Sequence, residues 1–308
     1  MISNIGVRTE EAGLRAWLNA PIARSPAQAR AQSAWKGWRR LQSNHTAFAG
    51  FLIVLALAIV AVFAPYLATQ SPFEQDLAAR LEPPSMAHWF GTDDLGRDIY
   101  SRVVYGARIT LYIATLAALI AAPLGLIVGT TAGYMGGWID IALMRIVDVF
   151  LSFPSLILAL AFVAALGAGI ENAIIAISLA SWPPIARLAR AETLTVRSAD
   201  YIAAVRMQGA SRTRIITNHI MPMCVTSVIV RITLNMAGII LTAAGLGFLG
   251  LGAQPPSPEW GAMLSSGRQF MLTHWWLAAA PGCAILLVSL GFNLFGDGLR
   301  DALDPRHE

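Results

Sequence analysis

Six long apolar runs, separated by polar stretches of very unequal length, organise this chain. The first, Ala47 to Leu67, is uncharged over 21 residues, and about 20 residues suffice to cross the hydrocarbon of a bilayer as a helix. The others run from about Ile109 to Thr131, Ile146 to Leu166, Ala173 to Leu188, Met223 to Leu249 and Trp275 to Phe295. Pro123, Gly125 and Gly129 interrupt the second, and Trp182-Pro183-Pro184 stands near the end of the short fourth. Membrane helices tolerate such breakers because neighbouring groups re-satisfy the backbone. Arg145 and Asp148, three apart at the start of the third run, are spaced to pair on one helical face. The pattern predicts an all-α integral membrane protein with six transmembrane helices.

Composition agrees. Of 308 residues, 56% are hydrophobic and 13% charged, and mean hydropathy is +0.58; soluble domains carry about 25% charge. The polar stretches then set the orientation. Residues 1–45 hold Arg8, Arg15, Arg24, Arg30, Lys36, Arg39 and Arg40 against Glu10 and Glu11, and basic flanks stay in the cytoplasm. Residues 1–30 read as a solvated tail, and Trp35 and Trp38 among the following bases suit the headgroup boundary. No cleavable leader is expected, so the first span serves as the insertion signal. Thr69 to Ala107 is net acidic and falls outside, whereas Arg187 to His219 has six arginines against Glu192 and Asp200 and falls inside. Both termini are thus expected in the cytoplasm. The net charge of +4 is explained by topology, with no nucleic-acid partner implied. Cys224 and Cys283 lie in apolar segments without metal-ligand spacing and read as core residues.

Within the inner polar stretch, Tyr201 to Pro222 (YIAAVRMQGASRTRIITNHIMP) reads as helix–Gly–helix. Ser198 or Asp200 is placed to cap the first helix, Gly209 to end it in the left-handed conformation, and Ser211 to start a second that runs to Pro222. With Arg206, Arg212 and Arg214 on it, the piece is either a docking element or a basic interhelical loop. Arg231 and Asn235, at i and i+4 inside the fifth run, are candidates for a translocation path, because a charge within a span normally faces protein or a water-filled cavity. The alternative for Arg231 is snorkelling to the inner interface. The outer segment brings Asp93, Asp94, Arg97, Asp98 and Arg102 close together as a solvated, self-paired loop, and the stretch after Leu249 carries a Pro-rich turn with room for a short re-entrant helix.

No phosphate-cradling loop, zinc-protease motif or nucleophile elbow is present in the sequence. An ion-coupled secondary transporter would need buried acids in its spans, and a membrane hydrolase would need a nucleophile with its base; the runs supply neither.

Four stretches carry a resemblance: HWFGTDDLGRDIYSRVVYGARITL from His88, AAVRMQGASRTRIITNHIMP from Ala203, LGFLGLGAQPPSPEWGAML from Leu246, and NLFGDGLRDALDP from Asn293. Jointly specific, and extending from about Trp35 to Pro305, they resemble the second permease subunit of bacterial dipeptide/oligopeptide ATP-binding-cassette (ABC) importers, a branch that includes nickel and glutathione permeases. The resemblance implies a type I importer permease fold in the inner membrane and transport by alternating access, without covalent chemistry in this chain. It implies a homologous second permease subunit, two cytoplasmic ATPase subunits that bind the ATP and Mg, and a periplasmic or lipid-anchored substrate-binding protein. This chain itself is expected to hold no cofactor or metal and to lie among membrane lipid.

The same resemblance makes residues 197–222 the ATPase-coupling loop, with Ala203, Ala204, Arg206, Gly209, Ala210, Ser211, Arg212, Arg214 and Pro222 as its site residues. The family pattern is Glu-Ala-Ala, then Gly, then Pro. Ala203 stands here in place of the glutamate and Val205 in place of the last alanine, while Gly209 and Pro222 are present. Asp93, Arg97 and Asp98 mark the extracytoplasmic loop. The expected division is a cytoplasmic tail at 1–45, the first span with its outer loop at 46–106, and a five-helix core at 107–308.

Overall fold

The computed structural model describes residues 17–20 and 25–303; most of the tail expected over residues 1–30 lies outside them, as do the last five residues. The described chain is built of helices, with one isolated bridge between Thr92 and Asp98. Helix α1, Pro26–Ser43, starts inside the stretch read as tail, capped by Ser25, whose side chain accepts from the Gln28 N–H at 3.1 Å. Asn44 ends α1 and also begins α2, His45–Leu67, accepting from the Ala47 N–H at 3.2 Å. Then come α3, Ile99–Met135; α4, Gly137–Leu151; α5, Ser155–Leu166; α6, Ile170–Val196; and α7, Asp200–Met207. Last are α8, Arg212–Phe248; α9, Trp260–Gly267; and α10, Trp276–Leu303.

Four of these (α2, α3, α8 and α10) are long and apolar enough to cross a membrane, and the α4–α5 pair makes a fifth if its two pieces count as one span. The third span expected over about Ile146 to Leu166 is not one unbroken helix. Its place is taken by α4 and α5, bent by 93° at Ser152-Phe153-Pro154. The cause is local: the residue before a proline is pushed out of the α region, and Pro154 lacks the N–H that would continue the ladder. The fourth run also differs, because α6 extends eight residues past Leu188 to Val196.

Helices α3 and α6 form the centre and run side by side in the same direction. Gly125, Gly129 and Gly133 stand every fourth residue along their seam. A Cβ at Gly125 would lie 2.7 Å from Ile185 Cβ, one at Gly129 2.7 Å from Ala189 Cβ, and one at Gly133 2.7 Å from Thr193 Cβ. Gly125 and Gly129, read from sequence as helix breakers, are therefore close-approach residues, as is Gly133, and small residues at such spacing let membrane helices pack backbone to backbone. The main buried cluster joins Ala114, Ala117, Ile177, Ile240 and Leu246 across α3, α6 and α8. Helices α2 and α10 cross antiparallel, Gly50 against Leu294 and Phe295, and Gly298 against Ala47.

The bundle thus has two ends. At one, residues 69–98 form a cap over the start of α3; at the other lies the segment 197–222.

Candidate functional site

At the loop end, α7 begins at Asp200, but neither Ser198 nor Asp200 caps it. Ala199 occupies the N-cap position, and the Ser198 hydroxyl donates back to the Thr195 carbonyl at 2.8 Å. Serine here does what short polar side chains do at a helix end, bonding the preceding turn. Gly209 does end α7, at φ +80°, where glycine carries no steric penalty. Its N–H reaches the Arg206 carbonyl at 3.0 Å. Ser211 then caps α8, accepting from the Arg214 N–H at 3.3 Å.

The second helix does not stop at Pro222. It continues without a break into the span, through a π-type turn over Ile216–Ile220 that widens the ladder just before the proline. A proline inside a helix clashes with the carbonyl four residues back, and an i→i+5 turn makes room for it, a device common at functional sites. The Met221 N–H accordingly bonds the Ile216 carbonyl. Segment and span are one continuous helix.

Ile202, Ile215, Ile220 and Cys224 are buried together and staple α7 onto the first turns of α8. The Arg206 guanidinium lies 5.8 Å from the Tyr134 ring centroid, within cation–π range. Tyr134, Met135, Arg206, Ala210, Arg212 and Ile215 surround an open groove of about 400 Å³. Ala203, Ala204, Met207, Gly209, Ser211, Arg212, Arg214 and Pro222 are exposed, with Met207 at 84%. The residues singled out in this loop are thus accessible, apart from Ala210, which is half-buried.

Two ion pairs brace the same end. Asp148 does not pair with Arg145 within α4; its Oδ1 accepts from Arg187 Nη2 of α6 at 2.7 Å. Arg190 grips Asp140 with both Nε and Nη2, at 2.5 and 2.6 Å. A bidentate fork across two helices is a better fit to guanidinium geometry than a three-residue spacing along one.

Arg231 and Asn235 are half-buried on α8, and the Arg231 Nε has no hydrogen-bond partner among the described residues. Leu234, one turn on, packs against Gly296 of α10, whose neighbours Phe295 and Gly298 meet Gly50 and Ala47 of α2. Arg231 therefore stands at about the level of the His45 end of α2.

At the opposite end the acidic–basic segment is self-paired but not solvated. Asp93, Arg97, Asp98 and Arg102 are all buried. Asp93 Oδ2 accepts from Arg97 Nε at 2.7 Å and lies 3.6 Å from Arg102 Nε. Arg102 also donates to the Pro72 carbonyl at 2.9 Å. Asp98 caps α3 through the Ser101 N–H at 2.8 Å and holds His88 Nδ1 at 3.0 Å. Buried charges persist only when paired and hydrogen-bonded, and this set is both. It closes the top of α3 against α9 and α10: Asp93, Arg97 and Arg102 share a cavity of about 20 Å³ with Met263, Ser266 and Leu277, room for one water.

Sequence reasoning missed Glu259. It caps α9, its two carboxylate oxygens accepting from the Gly261 and Ala262 N–H groups at 2.8 Å each, and it is 3% exposed. Burial pushes its carboxyl up to about 7, against the opposing pull of those two N–H bonds. Beside it the Trp260 Nε1 donates to the Val103 carbonyl at 2.9 Å and pins α9 to α3. The available signal was an acid followed by an aromatic just after a run of prolines, where a short helix needs a cap.

The comparisons with known proteins agree with this architecture. Residues 121–308 match the family described as binding-protein-dependent transport system inner membrane component. Residues 33–84 match the N-terminal TM domain of oligopeptide transport permease C. A dipeptide transport system permease protein of Alkalihalophilus pseudofirmus is 47% identical over 277 residues, 90% of this chain and 91% of that protein. A probable D,D-dipeptide transport system permease protein of Escherichia coli K12 is 46% identical over 279 residues, 91% and 93% of the two chains. A glutathione transport system permease protein of Pectobacterium atrosepticum is 45% identical over 273 residues, 87% and 90%. Among solved structures, an inward-facing MetNI methionine ABC transporter contains a chain that superposes with a TM-score of 0.53 at 20% identity, covering 66% of this chain and 97% of that one; the fold is shared. With more than half of its length matched by one family and relatives along nearly all of it, the chain belongs to the binding-protein-dependent transport system inner membrane components, as a permease of a bacterial ABC transporter in the inner membrane.

Proposed function

We propose that this permease imports peptides by alternating access, and that the face presented by residues 197–222 receives the push of a cytoplasmic ATPase subunit. The observation that carries the reading is mechanical. The short α7, the Gly209 turn and the first turns of α8 are stapled together by Ile202, Ile215 and Ile220, and α8 runs unbroken from Arg212 to Phe248. A displacement applied at the exposed face is therefore delivered along the whole helix, the rigid-body kind of change that domain switching uses. The contact rests on shape, small side chains and Arg206, Arg212 and Arg214, since Ala203 offers no carboxylate.

The membrane crossing in this reading has six passes: α2, α3, the bent α4–α5 pair, α6, α8 and α10, with both termini in the cytoplasm. The cap of Asp93, Arg97 and Asp98 then faces outward, toward a substrate-binding protein that is periplasmic or lipid-anchored. A homologous second permease and two ATPases complete the complex, and ATP and Mg belong to the ATPases. Arg231 and Asn235 line the inner mouth of the path, at the level where α2 begins at His45. The peptide assignment is supported by relatives named for dipeptide, D,D-dipeptide and glutathione transport.

The test is reconstitution with ATPase subunits and a substrate-binding protein of the same importer. Peptide-stimulated ATP hydrolysis by the complex, with none by this chain alone, is the expected result. Uptake driven by an ion gradient with no ATPase present would refute it. Competition among a dipeptide, a longer peptide, glutathione and nickel ion then fixes the substrate class.

A further inference from the structure

We infer that α1 is an anionic-lipid dock, whose Arg30, Lys36 and Arg39 seat on the phosphate and glycerol headgroups of acidic phospholipids at the loop end of the bundle. The inference deepens the proposed function by naming a lipid partner for the segment that precedes the first span.

Three observations carry it. The first is charge: α1 holds Arg30, Lys36, Arg39 and Arg40, and no Asp or Glu occurs from Ala12 to Phe73. Arg40 is engaged with the end of α10, donating to the Ala302 carbonyl at 3.5 Å, whereas Arg30, Lys36 and Arg39 are exposed. None of those three lies within ion-pairing distance of a carboxylate among the described residues. The second is position. Asn44 alone separates α1 from the uncharged helix α2, so α1 is tethered within one residue of the hydrocarbon boundary. The third is the aromatic side. Trp38 packs edge-on against Phe51, centroids 5.3 Å apart, and against Phe48 at 6.4 Å, both on the first turns of α2. Basic residues with a tryptophan at a span's end match the physics of interfacial anchoring, and the negative surface potential of acidic lipid attracts each such cation.

The dock also has a mechanical connection. Leu41 is buried beside Gly298 of α10, and Asn44 Nδ2 donates to Asp301 Oδ2 at 3.5 Å. Lipid held on α1 therefore braces the last turn of α10, which packs on α8.

The experiment is hydrogen–deuterium exchange over residues 26–43 of the full chain. It compares nanodiscs of phosphatidylcholine with nanodiscs of equal parts phosphatidylcholine and phosphatidylglycerol. Exchange should be markedly slower in the acidic discs, and molar salt should erase the difference by screening. Each cation near an acidic surface strengthens attachment roughly five-fold, so Lys36→Gln with Arg39→Gln should lose most of the protection, about 25-fold for the pair at the same increment. The charge-keeping pair Lys36→Arg with Arg39→Lys should retain it. Equal exchange in the two lipids would overturn the inference, as would protection that appears only when an ATPase subunit is added, since the face would then be a protein dock. The wild-type lipid and salt comparison stands even if a variant fails to insert. A failure of the importer reading would show as absent peptide uptake and would leave the exchange result untouched.

Discussion

Gly209 offers the cleanest perturbation of the proposed coupling face, because its role is separable from packing. It sits at φ +80°, and a Cβ built on it would meet no heavy atom within 4 Å. A side chain added there therefore costs conformational energy alone. For an ordinary residue the left-handed region costs about 1–2 kcal/mol, more for a β-branched one whose χ1 is already restricted, and less for asparagine, which enters that region several-fold more readily than most residues. The series Gly209→Asn, Gly209→Ala and Gly209→Val should then rank in that order. Asparagine should be nearly silent and alanine weakened, while valine should straighten the turn and displace α7 from the start of α8. Since the turn is exposed and leaves the membrane helices untouched, insertion should persist throughout, with thermal stability falling modestly in the same order as Ile202 loosens from its buried cluster. The assay is the ratio of peptide taken up to ATP hydrolysed in proteoliposomes, which should fall from asparagine to alanine to valine while hydrolysis persists. If valine transports at the wild-type ratio, the turn geometry is not used for coupling. If asparagine uncouples as badly as valine, the surface there is read by contact and the conformational argument fails.

Three further outcomes follow from other residues. Glu259 has a folded-state value near 7 against an ordinary 4.5, so the folded state holds its proton more tightly. Its stabilising contribution is complete below pH 4.5 and is lost as pH rises through 7, roughly 3 kcal/mol across that interval. Thermal unfolding between pH 4.5 and 8 should show a fall that Glu259→Gln flattens, and an unchanged slope in the variant would reject the assignment. Gly129→Leu should abolish the monodisperse peak in fluorescence-detected gel filtration, because its first carbon alone would lie 2.7 Å from Ala189 Cβ and overpacking costs about 1–3 kcal/mol even where neighbours can yield. Arg187→Gln should change the melting temperature very little. The Arg187–Asp148 pair is more than half exposed on both sides, and exposed pairs contribute about 0–1 kcal/mol.

The apolar runs and the sign of the flanking charge made the helices legible, because burial in hydrocarbon leaves a composition signal that needs no neighbours. The Gly209 turn and the Ser211 cap were legible too, being decided within four residues. What failed shares a different cause. The break at Pro154 turned a span into two pieces at 93°, and no periodicity reports an angle. Asp148 chose Arg187, 39 positions away, over the neighbour three positions back, a choice made by the packing of α4 on α6. The Asp93–Arg102 cluster reads as solvated in any one-dimensional count, and its burial comes from α9 and α10 folding over it. Pro222 looked like a start signal for a new helix, and the π turn before it let one helix run through.

That last difference bears on mechanism more than the others. Had α8 begun at Pro222, a loop would have stood between the presented face and the span, and force on the face would have dissipated in it. Instead, 37 residues from Arg212 to Phe248 form one helix, whose only irregularity is the widened turn at Ile216–Ile220 beside the staple of Ile202, Ile215 and Ile220. A π turn has one residue more per turn than the ladder around it and can pass along a helix by shifting a single hydrogen bond. The device that admits Pro222 is thus also the one place where α8 can bend relative to its docked start. Replacing Pro222 by alanine removes the clash that holds the turn open. The helix should then become regular and stiffer while losing the angle at which α7 is presented. Cross-linking between cysteines placed at Met207 and on the ATPase would report that angle: a lower yield in Pro222→Ala with α8 still folded supports the reading, and an unchanged yield shows that the π turn plays no part in presenting the face.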